Sequence, residues 1–142
     1  MGKRILILNN RTLMRKMIAK TFNNNGYTVV GEARNVAEAA AAYKTLKPDL
    51  VIIDAEMTYS YRKKTIELIY SLNAKAGIAL LSILGPKVFI VDPVDHVSDD
   101  FTFSRLPEGH PLLIIEREFS KSLSGYLDSL NYASLGMVSQ TG

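Results

Sequence analysis

Two short, wholly apolar runs that stop abruptly in polar residues constrain this chain most. Ile5 to Leu8 runs into the amides Asn9 and Asn10, and Val51 to Ile53 runs into Asp54. Such runs suit strands buried on both faces of a sheet, and open α/β sheets bind ligands beyond the carboxyl ends of their strands. If the two strands lie side by side, Asn9, Asn10 and Asp54 share one small pocket holding a single carboxylate among amides.

The surrounding periodicity fits such a sheet. Leu13, Met14, Met17, Ile18 and Phe22 form a helical stripe that ends at Asn23-Asn24-Asn25-Gly26, and Thr28 to Val30 is the next strand. Asn35 with Glu38 opens an alanine-rich helix in capping-box fashion, and Pro48 stops it near Lys47. The strand Val51 to Ile53 follows, then a helix over Thr65 to Leu72 with Leu68, Ile69 and Leu72 as its apolar face, then a strand over Ile78 to Leu84. Strands alternating with helices imply a doubly wound, mostly parallel sheet, flavodoxin-like in class.

Composition narrows the chemistry. The chain has 142 residues, is 47% hydrophobic and contains no cysteine, which excludes thiolate catalysis, thiolate zinc sites and disulfide frameworks. His96 and His110 are too scattered to suggest a metal centre. The apolar run after Met1 is broken at Asn9, far short of a signal or membrane segment, so a cytoplasmic location without membrane contact is expected. Residues 1–91 hold 14 Lys or Arg against 6 Asp or Glu, and residues 92–142 hold 3 against 8. Arg11, Arg15, Lys16 and Lys20 on one helix and Arg62, Lys63 and Lys64 on another are expected on solvated outer faces. Without a recognition motif, nucleic acid is disfavoured as a partner.

From Lys3 to about Ser82, the order of a strand ending in Asn9-Asn10, the helix RTLMRKMIAKTF and the run NGYTVVGEARNVAEAAAAYKTLKPDLVIIDAEM resembles the receiver domain of two-component response regulators, the CheY-like fold. The resemblance implies a phosphorylatable aspartate, with a divalent cation held by hard oxygen ligands to neutralise the phosphate. It places Asp54 at the phosphoacceptor, Glu56 where a backbone carbonyl reaches the metal, and Ser82 and Phe89 at the hydroxyl and aromatic switch positions. It also places Asn9 and Asn10 where the family has an acidic pair, and Asp92 where it has a lysine. Asn10, Asp54 and Glu56 are then a weak or absent magnesium site beside Asn9. No other cofactor is expected, and the domain reads as an atypical, or pseudo-, receiver.

The chain also departs from the family in topology. Only six residues, Ile83 to Val88, separate Ser82 from Phe89, where a receiver has a whole crossover helix. Parallel neighbours need a dozen or more residues between them, and Gly85-Pro86 is a turn signal. The fourth crossover helix is therefore expected to be missing, with Lys87 to Val91 folding back as an antiparallel strand, which would carry Asp92 away from the pocket.

Beyond this receiver-like core of residues 1–91, residues 92–111 read as an irregular loop. It is either a docking surface anchored by Phe101, Phe103 and Leu106 or a poorly ordered insertion. Leu112 to Ile115 suggests a further strand, with Glu116 at its mouth. Phe119, Leu123, Tyr126, Leu127 and Leu130 mark a C-terminal helix to about residue 135, and 136–142 reads as a frayed tail. The whole is taken as one domain.

Two function classes are open. The first is a signalling module of a phosphorelay pathway, not an enzyme, acting on a protein partner with weak or no phosphorylation at Asp54. With no DNA-binding or catalytic domain attached, its output is expected to pass through contact, and a homodimer through the face left by the missing helix is expected. The alternative is a small-molecule-binding or enzymatic flavodoxin-like domain using the strand-end pocket. The segment Asn9 to Thr12 is not a glycine-rich phosphate loop, which weighs against it.

Overall fold

The structure is a computed structural model that describes residues 2–92 and 101–141, with side chains on the final helix as far as Asn131. Strands β1 (Arg4–Leu8), β2 (Thr28–Ala33), β3 (Leu50–Asp54) and β4 (Ile78–Ser82) are parallel. Helices α1 (Thr12–Asn23), α2 (Val36–Leu46) and α3 (Tyr59–Leu72) connect them. Strand β5 (Lys87–Asp92) then folds back antiparallel on β4, and β6 (Thr102–Arg105) pairs antiparallel with β5. The sheet order is β2-β1-β3-β4-β5-β6. Helix α4 (Leu113–Thr141) closes the chain.

The hairpin expected from Gly85-Pro86 is present. Ser82 pairs with Lys87 and closes a turn in which Gly85 has φ +74°, a left-handed value that favours glycine. No helix intervenes between β4 and β5.

Alternate strand positions face opposite layers. Ile5, Ile7, Ile52, Ala79, Leu81 and Val88 pack with Ile18 and Phe22 of α1 and Ile115, Phe119 and Leu123 of α4. Leu6, Leu8, Val51, Ile53 and Leu80 pack with Ala39 and Tyr43 of α2 and Ile66 and Ile69 of α3. The central strands are apolar at consecutive positions, with polar residues only at their ends, because they are covered on both faces. At α2, the Asn35 side chain accepts the Glu38 N–H at 2.9 Å while Glu38 reaches back to the Arg34 N–H at 3.0 Å. Lys47, at φ 47°, ends that helix in the left-handed conformation directly before Pro48.

Several expectations are corrected. Residues 92–111 are not irregular throughout, since β6 lies within them; residues 93–100 fall outside the described residues. Leu106 is buried in the core and Phe101 packs against the α3 layer, its ring 5.6 Å from that of Tyr70, so neither is an exposed anchor. Leu112 to Ile115 is not a strand: Leu113 begins α4, which runs on through the segment read as a tail. Leu13 is exposed, and the buried face of α3 is Thr65, Ile66 and Ile69 rather than Leu68. Arg15 is not on a solvated face; it is buried and paired with Glu32 at 3.1 Å.

Glu116 lies in the first turn of α4 rather than at a strand mouth. Its carboxylate accepts the Val88 N–H at 2.7 Å and pairs with Arg105, whose guanidinium also donates to Val88 O at 2.8 Å. One acid thus joins β5, β6 and α4.

Candidate functional site

The register Leu8↔Ile53 between β1 and β3 makes Asn9 and Asp54 leave the sheet side by side. Both strands end in the same device, a side-chain oxygen accepting the backbone N–H two residues on. Asn9 Oδ1 takes the Arg11 N–H at 2.8 Å, and Asp54 Oδ1 takes the Glu56 N–H at 2.9 Å. Short polar side chains favour such turns. Asn9 is 1% exposed and Asp54 7%, whereas Asn10 faces solvent. Arg15 braces the first turn from below by donating to Asn9 O at 2.9 Å.

Across the pocket the side chain of Glu56 turns toward the β4–β5 hairpin. Its Oε1 accepts three hydrogen bonds, from Ser82 Oγ at 2.8 Å, the Ile83 N–H at 2.9 Å and the Leu84 N–H at 3.1 Å. Its Oε2 is buried and meets no donor. The Glu56 carboxyl is close enough to act on that of Asp54. Burial pushes the Asp54 carboxyl up, and the neighbouring acid adds to the effect. Burial also pushes Glu56 up, but the neighbouring Asp54 carboxyl and the hydrogen bonds from Leu84, Ser82 and Ile83 outweigh it and hold this carboxyl below its ordinary value.

Two cations flank the acids. Arg11 lies close enough to lower the Asp54 carboxyl somewhat. Arg62 donates to Ala55 O at 3.0 Å, with its guanidinium 5.4 Å from the Phe103 ring and 6.0 Å from that of Tyr59. Sequence reading had put Arg62 on an outer face.

The structure therefore brings together Asn9, Asp54, Glu56 and Ser82, and leaves Asn10 at the rim. Phe89 pairs with Leu80, two pairs along the hairpin from Ser82, with the Arg105 guanidinium 5.3 Å from its ring. Reversal of β5 takes Asp92 to the opposite end of the sheet from Asp54, where it accepts the Ser104 hydroxyl at 2.6 Å. Among the described residues, no group of three His, Cys, Asp or Glu is placed to hold a metal, and no helix is long and apolar enough to cross a membrane.

Residues 5–96 match the family described as response regulator receiver domain. The chemotaxis protein CheY of Thermotoga maritima is 35% identical over 101 residues, spanning 71% of this chain and 84% of that protein. The CheY of Bacillus subtilis matches to the same extent. Among solved structures, the response regulator domain of Thermotoga maritima CheB superposes with a TM-score of 0.53 at 19% identity, covering 94% of this chain and 96% of that one. CheY in a CheX-CheY-BeF3-Mg complex from Borrelia burgdorferi gives 0.52 at 22% identity, with 58% and 63% covered. At these identities the two superpositions speak for the fold alone.

Proposed function

Because this chain belongs to the response regulator receiver family, we propose that it is an atypical receiver, one that signals by protein contact with little or no phosphorylation at Asp54. The observation that carries this reading is the neighbour of Asp54, which is the carboxyl of Glu56. A phosphoryl group on Asp54 puts up to about two negative charges where a single carboxyl stood, beside the half-buried acid Glu56. Like charges in such a site repel strongly.

The residues present do not fit the magnesium site that the resemblance implies. Asn9 is neutral, its oxygen is committed to the Arg11 N–H, and Asn10 points to solvent. Glu56 Oε1 is saturated by three donors, which leaves Glu56 Oε2 and Asp54 as the charged oxygens on offer. Magnesium dehydrates reluctantly and needs charged oxygen ligands in near-octahedral array.

Output then rests on surfaces. Leu127 and Leu130 are 49% and 48% exposed on α4, a helix that at 1.5 Å per residue is about 43 Å long. They favour a homodimer as the working assembly, which light scattering across a concentration series would test.

The chemical test is intact-mass measurement after incubation with acetyl phosphate and millimolar magnesium, with Asp54→Asn as control. The unmodified mass is expected to persist. Near-stoichiometric addition of one phosphoryl group, abolished in the control, would show a working phosphorelay protein instead.

A further inference from the structure

We propose that Glu56 is an internal anion that fills an oxyanion cradle on the β4–β5 turn, holding the Ser82 hydroxyl and the turn in one fixed state. The proposal rests on the reading of this domain as a receiver that does not depend on phosphate. It adds what stands in place of the phosphoryl group.

Three donors converge on one oxygen. Ser82 Oγ, the Ile83 N–H and the Leu84 N–H all point at Glu56 Oε1, at 2.8, 2.9 and 3.1 Å. A carbonyl or hydroxyl rarely collects three donors; a charged oxygen does, because charge-assisted bonds are shorter and about twice as strong as neutral ones. Consecutive backbone N–H groups in a turn form a concavity suited to anions. Here β4 has just ended, the next two N–H groups have no strand partner on that side, and the hairpin presents them to the β3–α3 connection.

The hydroxyl is fully engaged. Ser82 has one proton to donate, and its contact with Leu84 O, at 3.4 Å, is too long to compete with the 2.8 Å bond to Glu56. The carboxylate is in turn held by its own backbone, since the Glu56 N–H is fixed by Asp54 Oδ1 at 2.9 Å. The acid is therefore delivered to the hairpin by the strand end that carries Asp54, across 26 to 28 residues of sequence. An anion from outside would have to displace a ligand tethered to the site, and tethering raises effective concentration to the millimolar range or above.

Removal of the tethered acid should expose the cradle. In Glu56→Ala, the backbone amides of Ile83 and Leu84 are expected to lose hydrogen-exchange protection by at least about tenfold, the equivalent of one charge-assisted hydrogen bond. Titration with inorganic phosphate should then shift these two amides and Ser82 saturably in that variant and leave the wild type unmoved. Glu56→Gln keeps the size and a neutral acceptor. Should the alanine variant not fold, the glutamine variant decides, with both amide protons moving upfield as the bonds weaken while other amides stay in place. Unchanged amides at 83 and 84 in the folded variants, or phosphate shifting the wild type as strongly as Glu56→Ala, would overturn the proposal. The mass measurement on wild-type protein judges Asp54 and the amide measurements judge Glu56, so either reading can fail without the other.

Discussion

Replacing Glu116 by alanine tests how the carboxyl-terminal half is tied to the sheet. The carboxylate is only 14% exposed and accepts the N–H of Val88, itself 1% exposed, so water cannot readily replace it. A buried donor left unpaired costs about 1–3 kcal/mol. The pair with Arg105 adds less, because that guanidinium is 44% exposed and screened, so about 0.5 kcal/mol is a fair share. Loss of an acid from the first turn of α4 costs roughly another 0.3–1 kcal/mol. The sum is about 2–4.5 kcal/mol, which in urea denaturation followed by circular dichroism lowers the midpoint at constant slope. Glu118→Ala is the matched control: it removes pairs at 3.5 and 3.7 Å with exposed Lys121 and Arg117 and should cost under about 0.5 kcal/mol. Equal effects from the two variants would refute the argument that Glu116 joins three elements.

Acid should remove the same contribution. Burial pushes the Glu116 carboxyl up, but Arg105 and the Val88 N–H outweigh it and hold it below its ordinary value. Its stabilisation is thus present above the ordinary glutamate range and lost as pH falls through the lowered folded value, so the Glu116→Ala variant should show a flatter acid limb in a plot of stability against pH. Gly85→Ala places a side chain at φ +74° and should lower stability by about 1 kcal/mol, read from the same urea curves. The double variant Asn9→Asp with Asn10→Asp keeps one oxygen for the Arg11 N–H and adds two charges, so magnesium affinity measured by calorimetry should rise at least about tenfold.

The parallel core was legible because its central strands β1, β3 and β4 are apolar runs with polar residues at their ends, and its helices are bounded by polar turns and caps such as Asn35. The hairpin was legible from arithmetic on the Ile83 to Val88 gap. Strand β6 was not, because TFSR is exposed at all four positions and carries no burial pattern. Leu112 to Ile115 misled for the opposite reason: a run of four apolar residues has no period to separate strand from helix. Within the site, Asn9 and Asp54 were found from strand ends, and Ser82 from the family resemblance. The side-chain role of Glu56 was hidden, since its partners sit on a turn 26 to 28 residues away. Arg15 was misjudged because its partner Glu32 lies on a different element.

The reversal of β5 has a kinetic side as well. Each neighbouring pair in the parallel half must wait for a helix-bearing segment to swing round before its ladder can start, whereas β4 and β5 meet across a turn that Ser82 and Lys87 close. Loop-closure entropy rises with the length of chain enclosed, and hairpins form in about 1–10 μs. The part of the sheet that departs from the family is therefore also its most local part. A chain emerging from the ribosome can zip β5 onto β4 at once, leaving α4 as the element whose docking completes the fold.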